Sequence, residues 1–390
     1  MIFSDVASRF QSEKNSLYRE RDALLERGES IVDLISGNVS RHGILYPTEI
    51  LEPILAHAVR GTREYRPDPL GQVAAREAIR GYYQKRGLDI PIERIILTPG
   101  TSLSYWYCFR LLCNPGDEIL TPLPTYPLFD HIAEFAGIRM VPYPLVEEQG
   151  WAIDFDRLEK VITPRCRALI VISPHNPTGR VASAEELGTL AQIARRHQIP
   201  ILSDEVFSEF LFDDEPFPRA AAASGPLVFT LNGFSKMFAL PGLKIGWMAL
   251  SGEKPWVARA VEGLETLSDA FLPVGELQQF AIPEIFRQSG DFQRSYVEAI
   301  QHRCRTALET ISRSRALQVV PPQGGFYLCA KISNPNLDEE EVALDLLKTE
   351  RVLVHPGYFY NLDPPHLVAS IVPDPEVLSV AFKKILHRLS

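Results

Sequence analysis

The chain is constrained above all by a rhythm in its middle. Short apolar runs at residues 94–98, 167–173, 199–204, 227–231 and 245–250 recur, and helical patterns such as 73–84, 103–113 and 183–198 are interspersed with them. A continuous apolar run without polar alternation reads as a strand covered on both faces. Strands alternating with helices imply a mostly parallel sheet with helices on both sides. Such an open sheet gathers its functional loops at the carboxyl ends of its strands. The 390 residues are long for one domain, so two are expected.

Each run opens into a turn with chemistry in it. Residues 94–98 lead to Pro99-Gly100-Thr101-Ser102 and then a helix. Free backbone N–H groups and a helix dipole at one point suit a phosphate, and Gly100 lets the backbone come close. Residues 114–120 give a turn and strand, followed by prolines that hold Tyr126 rigidly, and its flat face suits a flat ring. Residues 167–173 end in Pro174-His175-Asn176-Pro177-Thr178-Gly179, whose two X-Pro bonds can take cis turns that fix the Asn176 side chain. The run from 199 ends in Asp204, and an acid at the end of a buried strand is costly unless paired.

The run at 227–231 delivers Lys236, flanked by Phe234, Met237 and Phe238, which read as buried. Burying an ammonium lowers its pKa and frees the amine as a nucleophile. Such an amine forms a Schiff base with an aldehyde cofactor, which suggests pyridoxal phosphate as electron sink.

Ser235-Lys236 followed by Pro241-Gly242-Leu243-Lys244-Ile245-Gly246-Trp247 resembles the cofactor-lysine segment of the fold-type-I, class I/II aminotransferases. The resemblance runs from about residue 37 to about residue 377. It implies an α/β fold of the aspartate-aminotransferase type: a large domain with a mostly parallel sheet flanked by helices, plus a smaller α+β domain built from both chain ends. The boundaries expected are 1–45 for an N-terminal arm and part of the small domain, 46–289 for the large pyridoxal-phosphate-binding domain, and 290–390 for the small C-terminal domain. Residues 1–30 read as a charged helical arm; 292–311, 338–350 and 376–389 read as helices, and 323–330 and 351–357 as strands.

The resemblance also implies roles. Lys236 holds pyridoxal phosphate and then carries the proton as base and acid, Asp204 keeps the cofactor's ring nitrogen protonated, and Tyr126 stacks on the ring. Asn176 donates to the ring hydroxyl oxygen. Gly100, Thr101, Ser102, Ser235, Lys244 and Tyr65 hold the phosphate. Tyr65 reaches across an interface to a partner's cofactor, so a homodimer is expected. Gly37 and Asn38 lie beside the substrate, and the reactants are an amino donor and a 2-oxo acid.

Four positions depart from the family pattern. Phe207 stands where a tyrosine is usual, which removes one hydrogen bond to the ring hydroxyl oxygen. Gly233 replaces a serine that donates to the phosphate. Lys244 replaces an arginine, which keeps the charge and loses the bidentate fork. Val368 occupies the place of the arginine that clamps the substrate's α-carboxylate, and no arginine lies between Arg351 and Arg388. Either another cation takes that role, with Arg41 or His42 as candidates, or the substrate lacks the carboxylate.

Composition excludes other classes. The net charge of −9 argues against nucleic acid or an anionic membrane as partner. No apolar run is long enough for a membrane span, and the N-terminus is not signal-like. Five scattered cysteines form no C-x-x-C pair, so no zinc site or disulfide framework is indicated, and the cytoplasm is the expected compartment. No G-x-G-x-x-G follows a strand, which argues against a nicotinamide enzyme. A β-eliminating lyase on the same scaffold and a non-catalytic ligand-sensing homologue stay as alternatives, because fold alone does not decide chemistry.

Overall fold

The computed structural model describes residues 2, 6–7, 14–213, 215–223, 225–362 and 365–390. Much of the first part of the expected arm lies outside these residues. β1 (Val32–Asp33) comes first and belongs to a small pairing taken up below. The large sheet then forms from β2 (Ile95–Thr98), β3 (Glu118–Leu123), β4 (Arg139–Val146), β5 (Ala152–Ile153), β6 (Cys166–Ile172), β7 (Ile201–Asp204), β8 (Val228–Gly233) and β9 (Gly246–Ser251).

Their order across the sheet is β2-β9-β8-β7-β6-β3-β4-β5. The five central strands from β8 to β4 run parallel. β9 lies antiparallel between β8 and β2, and β5 is antiparallel on the far edge. β7 and β8 are buried at every position, as strands covered on both faces should be. The helix at Ala184–His197 shows how the sequence punctuates these crossovers: Ser183 and Glu186 form a reciprocal capping box, and three basic residues occupy its last turn.

The chain then builds a second sheet from β10 (Leu317–Val319), β11 (Tyr327–Ile332), β13 (His355–Pro356) and β14 (His366–Ser370), all antiparallel, in the order β10-β11-β14-β13. Between them β12 (Val352–Leu353) pairs in parallel with β1. The helices Ser16–Glu26, Gly290–Ile311 and Pro375–Leu389 pack on this sheet. Leu17, Leu24, Leu34, Ile300, Leu378 and Phe382 share one core, so residues near both chain ends meet. The helix expected at 338–350 is α-helical over Glu339–Asp345 and ends in a wider π-helical turn, Leu346–Glu350.

The β1–β12 pairing matters for the site. It zips residues 32–33 to the C-terminal half, and Ser370 completes the seam: its N–H donates to Leu34 O at 2.6 Å and its Oγ donates to Ser36 O at 3.0 Å. Gly37 is thereby carried to Lys236, which follows β8 of the large sheet. Among the described residues no helix is long and apolar enough to cross a membrane, and all five cysteines are buried and unpaired.

Candidate active site

The carboxyl ends of β2, β3, β6, β7 and β8 open into one cleft of about 130 Å³. Gly100 leaves β2 with φ +108°, a backbone that other residues rarely adopt, and it begins the helix Thr101–Leu112 without a capping side chain. The first N–H groups of that helix are therefore free for an anion at the cleft wall, where Gly100, Thr101 and Ser102 lie. Gly246 of β9 makes the approach possible, since a Cβ there would come within 2.9 Å of Gly100 Cα.

Asn176 follows β6 in a loop with cis bonds at Ser173–Pro174 and Asn176–Pro177; a third cis bond, Leu123–Pro124, precedes Tyr126. Asn176 Oδ1 is buried without a hydrogen-bond partner and its side chain lines the cleft. Such an orphan is costly unless a bound group satisfies it.

Asp204 ends β7 on the cleft wall. Burial pushes its carboxyl up to about 6, against the hydrogen bonds it accepts from Val206 N–H (3.1 Å) and the Tyr105 hydroxyl (2.8 Å). Lys236 sits in the single helical turn Phe234–Met237 after β8. Phe234, Met237 and Phe238 are buried, as expected, and anchor that turn. The Lys236 amine donates to Gly37 O at 3.2 Å and lies 5.5 and 5.7 Å from the ring centres of Phe326 and Phe207. Burial lowers its pKa to about 8, so a usable fraction is the free amine at neutral pH.

Gly37 leaves room for two side-chain ends. A Cβ would stand 2.5 Å from the Tyr327 hydroxyl and 3.2 Å from the Lys236 amine. Tyr126 and Tyr327 both line the cleft, as does Phe207, which meets Phe326 edge-on at 4.9 Å.

The structure thus gathers Lys236, Asp204, Tyr126, Asn176, Gly100, Thr101, Ser102 and Ser235 on one wall system, with Gly37 at hydrogen-bond distance from the lysine. Four expected residues stand apart from that wall. Lys244 and Arg41 are exposed and outside it, and Tyr65 is 76% exposed. The Asn38 side-chain oxygen caps a 3-10 turn, accepting from Ser40 N–H and Oγ–H. Two residues escaped the sequence reading: Tyr105, which holds Asp204, and Tyr327, which packs at Gly37. Tyr327 had a signal in the Gly324-Gly325 pair before it, which marks a close backbone approach.

Residues 29–385 match the family model described as aminotransferase class I and II. The chain belongs to that family. Among curated relatives of this aminotransferase, the glutamate-pyruvate aminotransferase AlaA of Escherichia coli strain K12 is 32% identical over 386 residues, covering 97% of this chain and 95% of that one. Among solved structures, an aminotransferase from Escherichia coli superimposes with a TM-score of 0.89 at 30% identity, covering 100% of this chain and 98% of that one. The alanine aminotransferase from Pyrococcus furiosus gives 0.91 at 25% identity over 99% of both chains. Members of the family are pyridoxal-phosphate-dependent, and the Schiff-base lysine is general to them.

Proposed function

We propose that this aminotransferase holds pyridoxal 5'-phosphate on Lys236 and moves an amino group between a small amino donor and a 2-oxo acid. The observation that carries the reading is the pairing of two displaced groups in one cleft: a lysine lowered to about 8 and an aspartate raised to about 6, both by burial. The cleft suits the group in three further ways. The uncapped helix start at Gly100–Ser102 suits a phosphate, Tyr126 and Phe207 suit a flat ring, and the orphaned Asn176 oxygen marks an unfilled polar place.

When bound, the cofactor supplies the electron sink for the carbanion at the donor carbon. The chain's own groups do the rest. Lys236 anchors the cofactor through its amine and, once displaced by the donor, carries the proton from that carbon. Asp204 supplies the negative charge that keeps the ring nitrogen protonated, and Tyr105 holds that carboxylate in place. Gly37 O receives the Lys236 amine when it is free. Ser235 would add to phosphate binding, and Gly37, beside the lysine, would border the substrate; Lys244, Asn38 and Arg41, which stand apart from the wall, would serve the phosphate and the substrate only from outside it.

A homodimer belongs to the same proposal, with exposed Tyr65 serving a partner's phosphate. So do the domain boundaries at 45/46 and 289/290, and a reducing compartment, the cytoplasm, to which the unpaired buried cysteines are suited. The test is chemical. Borohydride treatment of the yellow protein should leave the cofactor mass on the Lys236 peptide, and Lys236→Ala should be colourless. A donor panel with a 2-oxo acid acceptor should then give ping-pong kinetics. Ammonia and an oxo product released without any acceptor would refute transamination in favour of elimination.

A further inference from the structure

On the reading above, one nitrogen of Lys236 has two duties. It must be a free base to meet an aldehyde, and it must later hold a proton as an ammonium. Burial favours the first duty by lowering its pKa to about 8. The second needs acceptors, because an ammonium carries three N–H groups and is costly to bury unpaired. Gly37 O is one acceptor, at 3.2 Å. The rings of Phe326 and Phe207, with centres 5.5 and 5.7 Å away, also favour a cation there. The Tyr327 hydroxyl is placed to be a second acceptor.

Gly37 sets that placement. A Cβ on it would stand 2.5 Å from Tyr327 Oη and 3.2 Å from Lys236 Nζ, so phenol and amine close on one point. The phenol is held there by the backbone. Tyr327 opens β11 and lies opposite Ser370 in the β11–β14 ladder. Ser370 is also the residue that clamps Leu34 and Ser36, just before Gly37. One strand pair therefore fixes phenol and glycine together. Phe207 meets the Tyr327 ring edge-on, with centres 6.5 Å apart, and limits its swing. Burial pushes the phenol well up, so it stays neutral over the pH range in which the amine titrates. A neutral phenol oxygen accepts a hydrogen bond without taking the proton.

We propose that Tyr327 is a positioning residue for the proton that Lys236 carries: two N–H groups of the Lys236 ammonium rest on Gly37 O and Tyr327 Oη, and the third is left aimed at the carbon that receives the proton. This rests on the aminotransferase reading of the cleft. The transfer balances within the lysine. The C–H bond of the donor breaks, its electron pair passes to the bound cofactor, and its proton becomes an N–H of Lys236. The same nitrogen then gives up one proton at the receiving carbon. Tyr327 neither gains nor loses a proton, and its oxygen holds the angle of the amine between the two events.

The experiment compares wild type, Tyr327→Phe and, as control, Tyr360→Phe, which removes another buried phenol whose hydroxyl lies 3.2 Å from His355 Nδ1. In cofactor-free protein, labelling with acetic anhydride across the amine's titration, read by mass spectrometry of the Lys236 peptide, gives the proton affinity of that amine. Tyr327→Phe takes an acceptor from the ammonium and should lower the midpoint by about half a pH unit or more, while the control leaves it in place. In holoenzyme, bleaching of the bound cofactor by alanine or glutamate is followed in single turnover, with hydrogen or deuterium on the carbon that bears the amine. Tyr327→Phe should slow bleaching about tenfold or more and raise the isotope effect, because the proton transfer is the step it harms. An unmoved labelling midpoint, a control that moves as far, or an unchanged isotope effect overturns the proposal while leaving the aminotransferase reading standing. If no amino donor bleaches the wild-type cofactor, that reading fails, and the labelling alone decides: a lower midpoint in Tyr327→Phe but not in the control supports the phenol as acceptor for the ammonium, and any other pattern overturns it.

Discussion

Asp204→Asn should make the cofactor-free protein more stable, and the gain should depend on pH. Asp204 is buried on the cleft wall, and burial raises its carboxyl from the ordinary 3.8 to about 6. The sign follows from which state holds the proton. Between those two values the folded chain keeps a proton that the unfolded chain has lost, so stability falls as pH rises through that window. The penalty is absent below 3.8 and complete above about 6. A difference of this size corresponds to about 3 kcal/mol. Asparagine keeps the shape, and its oxygen and amide can still meet Val206 N–H and the Tyr105 hydroxyl. For a chain of this length the gain is about 4 °C in thermal midpoint at pH 7. Calorimetry of stripped wild type and variant from pH 4 to 8 reads it directly. On the proposed role of Asp204, adding the cofactor should narrow or reverse the gap, because the ring nitrogen would then give the wild-type carboxylate a partner. An Asp204→Asn variant that is no more stable at pH 7, or equally favoured at pH 4, would refute the argument that burial without a counter-charge sets this group.

Three further outcomes follow from the same geometry. The rate at which stripped protein takes up the cofactor covalently should rise with pH and level near 8, where buried Lys236 loses its proton, instead of climbing to 10.5; stopped-flow absorbance reads the midpoint. Gly37→Ala should cost about tenfold or more in kcat with the fold intact by circular dichroism, because its Cβ displaces the Tyr327 hydroxyl and crowds the lysine, and Gly37→Ala with Tyr327→Phe should recover part of it. Gly179→Ala should destabilise by about 2 kcal/mol or more in denaturant titration, since φ is +71° and the new Cβ falls 2.2 Å from Pro322 Cβ. Gly179 O also accepts from Gln323 and Gly324 N–H, so the Asn176 loop should loosen with it.

The parts of the site that were legible in the sequence are those that end a buried strand. Gly100, Asn176, Asp204 and Lys236 each follow a continuous apolar run, and the run itself announces where the turn must come. Tyr105 and Tyr327 carry no such mark. Tyr105 sits on the buried face of a helix and Tyr327 in a strand, where an aromatic has an ordinary packing role, and only the tertiary approach brings Tyr105 to Asp204 and Tyr327 to Gly37. Strand direction was equally hidden: β9 is as apolar as β8 yet runs opposite to it. β4 was obscured by Pro142 and Pro144, which interrupt a strand pattern. They are tolerated because β5 covers that strand only at Leu145 and Val146, so their missing N–H groups deprive no neighbour.

Three of the four departures from the family pattern, at Gly233, Phe207 and Val368, have physical reasons that bear on whether the chain is a catalyst or a relic. Gly233 cannot be the usual serine: a Cβ there would lie 2.8 Å from Ile245 O and 3.2 Å from Gly246 Cα, because β8 and β9 close together at that point. The same close approach at Gly246 brings Gly100 up to the cleft, so one phosphate donor is lost to the packing that positions the others. Phe207 lacks a hydroxyl, but it stands edge-on to Phe326 beside Tyr327, whose phenol does reach the cleft wall. Val368 is packed among Trp151, Tyr360 and Leu362 rather than left beside a void. Substitutions that arise by decay leave cavities and unsupported charges, whereas these are filled by neighbours. Meanwhile the two expensive groups, the lysine amine and the aspartate carboxyl, are kept where burial penalises their charged forms. A transaminase depends on an amine held near its free-base form, and this chain keeps one.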